Sequence, residues 1–265
     1  MFGREKRYGE RDWRRRIGYS LLGELHMPGR LRVWHIVREL RRLGAWDARP
    51  RTVLDAGGGE GALAYFLARK FPTWKVVVAD NEADTLARGR AIKARLGLTN
   101  LEVREADLVH FSDDGLYDVV ICSDVLEHIV EDDLVVKGLG KVLKPGGVLV
   151  ITSPSVPQPR HLPLVAWRER RIGFKPSDYG HVRAGYSAVD CRRLIDGAGL
   201  EVEVNRTTFG RFGTLMFDLF FVTGDSRPNP VVFAALFPVY LGLSFLDLHF
   251  PGRHGAAVLA VGRKR

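Results

Sequence analysis

Residues 53–61 read VLDAGGGEG, and the rest of the chain is best understood as what such a loop needs around it. Val53 and Leu54 close a short apolar run that predicts a buried strand, ended by Asp55. Gly57, Gly59 and Gly61 follow at alternate positions with Gly58 between them, and ALAYFLARKF (62–71) then has the apolar spacing of a helix, closed by Pro72. Strand, glycine turn and helix together make a nucleotide-binding geometry. Missing Cβ atoms let a ligand lie against the backbone, and the helix start offers unpaired N–H groups. The same string fits a dinucleotide pattern as Gly57, Gly59 and Ala62, and glycine loops also serve purely structural ends, so the context decides.

Working outward, KVVVAD (75–80) predicts a buried parallel strand ending at Asp80, with a helix over 82–96. LEVREADL (101–108) predicts a third strand ending near Asp107. YDVVICSD (117–124) predicts a fourth, running into a helix from about Val125. KPGG (144–147) reads as a turn before a fifth strand, VLVITSP (148–154). Ser187 is placed to cap a helix that ends at Gly197 and Gly199; LEVEVNRTTF (200–209) alternates as a sixth strand, and GAAVLAVGRK (255–264) predicts the last. Alternating strands and helices imply an α/β fold of the doubly wound, Rossmann-like kind, with ligands at the carboxyl ends of the strands. Asp55, Asp80, Asp107 and Asp124 all fall at such ends.

These stretches (VLDAGGGEG, VVVADNE, EADL, YDVVICSDVLEHI and LKPGGVLVITSP) resemble, in order, the class I S-adenosylmethionine-dependent methyltransferases, and among them the quinone-biosynthesis and small-molecule O-methyltransferases. The resemblance covers roughly residues 50–200. It implies a seven-stranded sheet, mostly parallel with an antiparallel last strand, and S-adenosyl-L-methionine as cofactor. It further implies that Gly57, Gly59 and Gly61 bed the methionine end of the cofactor and that Asp55 fixes the loop. Asp80, with Asn81 beside it, would accept the ribose hydroxyls; Asp107 and the Leu108 backbone would meet the adenine, and Ser123 and Asp124 would lie near the sulfonium. Helix N-capping is the competing role for Asp80 and for Asp124. On a continuous helix Asp124, Glu127 and His128 would share one face, but one histidine with two carboxylates favours a hydrogen-bond network, and no metal is expected. His128 and His181 are the candidate general bases, each with a satisfied structural histidine as its alternative.

The 265 residues suffice for one α/β domain with additions, expected over 51–265 behind a basic arm and cap helices in 1–50. The net charge of +9 is concentrated there: residues 1–51 hold a surplus of 8 basic groups. Such an arm suits anionic headgroups, an acidic substrate or nucleic acid, or is simply a solvated surface. Within it, Pro28–Gly29 predicts a break between a short helix and an amphipathic helix over 30–43. Two cysteines, Cys122 and Cys191, suit a reducing compartment, and the charged first stretch has no signal-peptide pattern, so a cytoplasmic location is expected.

Two segments are left for the acceptor. Residues 153–186, with five prolines and the cluster Trp167, Arg168, Arg170 and Arg171, predict an irregular lid or substrate loop whose arginines read an anion or only face solvent. The apolar insert 210–250 predicts a helical hairpin before the last strand. It would serve as pocket cover, homodimer interface or in-plane membrane anchor. A transmembrane pass is disfavoured, since Asp218 and Pro238 interrupt its runs. The expected function is O-methylation of a small, lipid-linked or glycan acceptor, with membrane association open. The alternatives are a nucleic-acid methyltransferase, an NAD(P) oxidoreductase and a non-catalytic binding protein. Nucleic acid is not favoured, because CSDVLEH stands where base-amino methyltransferases carry Asn/Asp-Pro-Pro-aromatic.

Overall fold

The computed structural model describes residues 2–113, 115–172, 180–223 and 229–265, with backbone only at 168 and 172. Seven strands form one sheet in the order β3-β2-β1-β4-β5-β7-β6. They are β1 (Thr52–Ala56), β2 (Lys75–Asp80), β3 (Leu101–Glu105), β4 (Tyr117–Ser123), β5 (Leu143–Pro154), β6 (Glu201–Thr208) and β7 (Ala257–Arg263). The first five pair in parallel, and β7 runs antiparallel between β5 and β6. Because side chains alternate across a strand, each central strand feeds two cores. Val53, Val78, Ile121, Val150 and Val261 go to one face; Leu54, Val77, Val120, Leu149 and Ala260 go to the other.

Helices cover both faces. In chain order they are α1 (Trp13–Leu22), α2 (Met27–Arg42), α3 (Ala62–Lys70), α4 (Ala83–Leu96), α5 (Asp132–Lys141), α6 (Pro163–Ile172), α7 (Ala188–Gly197), α8 (Arg211–Val222) and α9 (Pro230–His249). The Ser187 cap of α7 is present as a full capping box with Asp190.

Four local expectations are corrected. Pro28 and Gly29 do not break a helix: they sit in the first turn of α2, where a proline's missing N–H costs nothing, and His26 caps it by accepting from the Gly29 N–H at 3.2 Å. KPGG is not a turn ahead of β5 but lies within it. Its extra residues form an irregularity between the Tyr117–Leu143 and Val119–Val148 pairs, with Gly146 at φ 78°. The lid loop contains α6, while its residues 173–179, Pro176 included, lie outside the described residues, as does the Arg168 side chain. Finally, Pro238 does not interrupt α9, which runs unbroken for 20 residues.

The insert is the α8–α9 hairpin, whose connecting residues 224–228 lie outside the described residues. With Met27 and Leu31 of α2, its Met216, Phe220, Phe233 and Tyr240 form a third core cluster. Asp218 is a tether and not an interruption: fully buried, it accepts from the N–H groups of His161 and Leu162 at 2.7 and 2.9 Å, fixing the entry to α6. By length and composition α9 could cross a membrane, and only 22% of its apolar window is buried. A single crossing is nevertheless incompatible with the fold, since β6 before the hairpin and β7 after it pair side by side along Glu201–Thr208.

Candidate active site

The glycine loop leaves β1 through three left-handed residues, Gly57, Gly59 and Gly61, at φ 69°, 57° and 84°. At Gly57 a Cβ would come within 2.5 Å of Val125, so only glycine fits both the conformation and the space. Asp80, the last residue of β2, reaches across to the loop: its Oδ2 accepts from the Gly59 N–H at 2.8 Å, and its Oδ1 accepts from the Glu82 N–H at 3.0 Å. The N-cap of α4 is Glu82, so Asp80 is not that cap, and its carboxylate keeps unused lone pairs. Beneath the loop Asp55 is buried, and its Oδ2 has no partner. Burial pushes its pKa up to about 7, against the pull of the Ala64 backbone N–H.

A cleft of about 650 Å³ opens at this end of the sheet. Gly57, Asp80, Asn81, Asp107, Leu108 and His128 all line it. Asp55 of β1 and Gly59 and Gly61 of the loop are not among its lining residues. Ser123 is likewise outside the lining, its Oγ 2.8 Å from Thr152 Oγ1. Asp107 lies two residues past the end of β3, its Oδ1 accepting from the Val109 N–H at 3.0 Å.

After β4 the chain does not enter the expected helix. Asp124 takes φ 55°, a short 3-10 turn spans Leu126–His128, and α5 begins only at Asp132. The 3-10 turn is capped by Val125 and α5 by Glu131, so Asp124 caps neither, and a 3-10 turn does not stack i, i+3 and i+4 on one α-helical face; both of those expectations fail. Asp124 instead pairs with Arg32 of α2, a residue that carries no local sequence signal. Burial raises the Asp124 pKa and Arg32 opposes it.

Asp124 still lines the cleft, and beside His128 stands His181. Its ring packs edge-on against His128 with centroids 4.6 Å apart. The juxtaposition is built by backbone and by one arginine. The Val182 N–H donates to the Glu127 carbonyl at 2.9 Å, His128 Nδ1 lies 3.1 Å from the Gly180 carbonyl, and Arg183 Nη1 donates to the carbonyls of Leu126 and Ile129 at 2.8 Å each. Arg183 is a second residue that local sequence reading missed. Glu127 is buried and accepts from Ser153 Oγ at 3.0 Å; burial holds its pKa above the usual range. The pKa of His181 is lowered by burial and then by His128, which keeps its imidazole neutral at pH 7. Ligand atoms of Glu127, His128 and His181 lie within 4.8 Å of one another, a set able to hold a divalent cation or to pass a proton.

This arrangement has known counterparts. Residues 49–171 match a family described as a methyltransferase domain. The matched stretch is a methyltransferase domain, folded as in the class I S-adenosylmethionine-dependent enzymes. The methyltransferase is 35% identical over 133 residues to the ubiquinone biosynthesis O-methyltransferase of Pectobacterium atrosepticum, covering 49% of this chain and 52% of that one. It is 26% identical over 162 residues to the protein of that name from Neisseria meningitidis, covering 60% and 67%. The chain thus spans about half the length of the first relative and two thirds of the second. Among solved structures, phosphoethanolamine N-methyltransferase 2 of Haemonchus contortus superposes with TM-score 0.59 at 18% identity over 87% of this methyltransferase and 52% of that chain. The cyclase SpnF superposes with TM-score 0.57 at 18% identity, covering 87% and 80%. Likenesses this distant establish the fold alone.

The cofactor of the domain is S-adenosylmethionine, and the residues present fit it. The bare-backbone loop, the strand-end Asp80 with free lone pairs and a 650 Å³ cleft between them supply the cradle such a ligand needs.

Proposed function

We propose that this methyltransferase transfers a methyl group to a hydroxyl of a small, lipid-linked or glycan acceptor, with a neutral imidazole taking the hydroxyl proton. The observation that carries the reading is the His128–His181 pair, 4.6 Å between centroids, whose His128 lines the same cleft as Gly57 and Asp80. The names of the curated relatives, ubiquinone biosynthesis O-methyltransferases, agree with a hydroxyl acceptor.

In this reading Asp80 and Asn81 hold the ribose, Asp107 and Leu108 the adenine, and Gly57, Gly59 and Gly61 the methionine end, with Asp55 fixing the loop and Ser123 close to the sulfonium. The bound cofactor supplies an activated methyl donor, so the protein's own work is alignment and exclusion of water. Glu127, neutralised or hydrogen-bonded to Ser153, braces the 3-10 turn that presents His128. His181, neutral at pH 7, accepts the acceptor's proton at a ring nitrogen, and His128 orients it. One observation favours a second reading of the same cluster: Glu127, His128 and His181 offer three converging ligand atoms, so a divalent cation held there would orient the acceptor oxygen.

The test is a methyl-transfer screen with labelled cofactor over lipid, glycan, quinone and small-phenol pools. Label in a hydroxyl of one of these pools supports the reading, and label only on nitrogen, carbon or RNA overturns it. Loss of turnover with chelator and its return with a divalent cation would select the second reading over the first.

A further inference from the structure

The outer face of α9 lacks what a water-facing helix face normally has. From Pro230 to Leu246 it carries no charged residue. Phe233, Tyr240, Ser244 and Asp247 point inward, yet Val231, Val239 and Phe245 on the other side are also apolar, and 46–75% exposed. A second apolar row lies on α1, where Trp13, Ile17 and Leu21, spaced i, i+4 and i+8, are 50–65% exposed. Arg11, Arg14, Arg15 and Arg16 surround that row and are all exposed. Beside it a groove of about 440 Å³ sets Arg7 and Arg16 against Tyr8, Trp13 and Ile17, cationic groups next to an apolar wall.

The two rows belong to adjoining elements. Leu22, at the end of α1, and Leu25 pack against the cluster of Phe220, Phe233 and Tyr240. The His26 ring lies 5.5 Å from that of Phe220, and the Arg30 guanidinium sits 5.4 Å from the Phe237 ring.

We propose that the outer faces of α1 and the α8–α9 hairpin form one docking surface for an anionic lipid bilayer. The hairpin lies in the plane of the interface, and the α1 arginines sit at headgroup phosphates. Charge decides the occupant. An apolar face alone suits any greasy partner, but a row of arginines interleaved with Trp13 and Ile17 is matched by phosphates directly above hydrocarbon. A second copy would cover α9 but offer those arginines no acid from its own outer α9 face, which has none over Pro230–Leu246. Tryptophan at the interface fits the same placement.

The experiment uses the full chain with vesicles of phosphatidylcholine alone and of phosphatidylcholine mixed with phosphatidylglycerol, read by co-sedimentation and by tryptophan emission. Binding to the mixed vesicles should be at least about tenfold stronger, weaken severalfold at about 0.5 M salt, and blue-shift an emission component absent from Trp13→Phe. Arg14→Glu/Arg16→Glu should remove the preference for the anionic lipid. Val239→Asp/Phe245→Asp should abolish binding to both vesicles with the melting temperature unchanged, since both side chains are exposed. Equal binding to both vesicle types, or none, overturns the proposal. So does a stable dimer by ultracentrifugation that Val239→Asp/Phe245→Asp dissociates while vesicles capture nothing. Vesicle binding is read without turnover, so failure here leaves the methyl-transfer proposal standing, and the reverse holds.

Discussion

His35 Nε2 lies 2.9 Å from Asp247 Oδ2, and neither residue reaches solvent. The pair joins the N-terminal cap to the apolar hairpin across 212 residues of chain. Asp247 also accepts from the Gly213 N–H at 2.9 Å, so one carboxylate ties α2, α8 and α9 together.

That tie should be pH-sensitive in a defined direction. Burial lowers the pKa of His35 below its ordinary value, so the folded protein binds fewer protons there than the unfolded chain. The stabilisation is complete above the unfolded pKa of about 6.5 and declines as the pH falls below it. His35→Gln should lower stability at pH 8 by about 2–4 kcal/mol and flatten the loss on acidification, measured by urea unfolding at both pH values. An acid limb as steep as the parent's would place the titration elsewhere.

Asp55 should act in the opposite sense. Its pKa rises from 3.8 to about 7, so the folded state holds the proton more tightly, and stability falls as the pH climbs through that window. Asp55→Asn should therefore raise the melting temperature more at pH 8 than at pH 5, by a few degrees, as calorimetry can record. Equal shifts at both pH values would mean that Asp55 is ionised throughout.

Cofactor affinity should depend on Asp80 and Gly57 for different reasons. Asp80→Ala removes a carboxylate and orphans the Gly59 and Glu82 N–H groups, and should weaken S-adenosylmethionine binding by about 1.5–3 kcal/mol by calorimetry. Gly57→Ala puts a Cβ against Val125 at a positive φ, and Val125→Ala should relieve only the clash and not the backbone strain. NADH should give no binding heat with any variant.

For His128 and His181, replacement by Ala should cut turnover roughly a hundredfold or more in at least one case, with cofactor affinity intact. Turnover near the parent's in both variants would leave alignment as the whole of catalysis. Arg183→Lys, which keeps the charge but not the forked donor set, should fall between, because the two histidine segments are held together through it.

The sheet was legible because its information is local. Apolar runs such as VVVAD, punctuated by glycine and ended by aspartate, fix strand identity without reference to anything distant. The cleft-lining residues came with it, since Gly57, Asp80, Asn81, Asp107 and Leu108 sit at or near strand ends and converge once the strands are parallel. What escaped was set by tertiary contact. Asp124 looked like the start of a helix, but its left-handed backbone goes with a carboxylate paired to Arg32, 92 positions earlier, and no pattern of neighbours encodes that. KPGG carried turn residues yet is taken up into β5, where the Gly146 N–H donates to the Lys264 carbonyl at 2.8 Å. Pro238 is a helix breaker by propensity, and propensity yields where the helix is packed on one side along its length. The family resemblance singles out His181, whereas its juxtaposition with Glu127 and His128 depends on Arg183 and has no local signal.

The antiparallel β7 gives the matched stretch 49–171 a boundary that is not a folding boundary. A fragment ending at Arg171 would keep β1 through β5 and the cleft-lining residues, but would take the β7 partners from seven residues of β5, Val148 to Pro154, and bare their backbone groups. Such a naked, apolar sheet margin is a template for sticking to its own kind. The portion of this chain easiest to recognise thus depends, for the cover of its sheet margin, on a strand that arrives 86 residues after it ends.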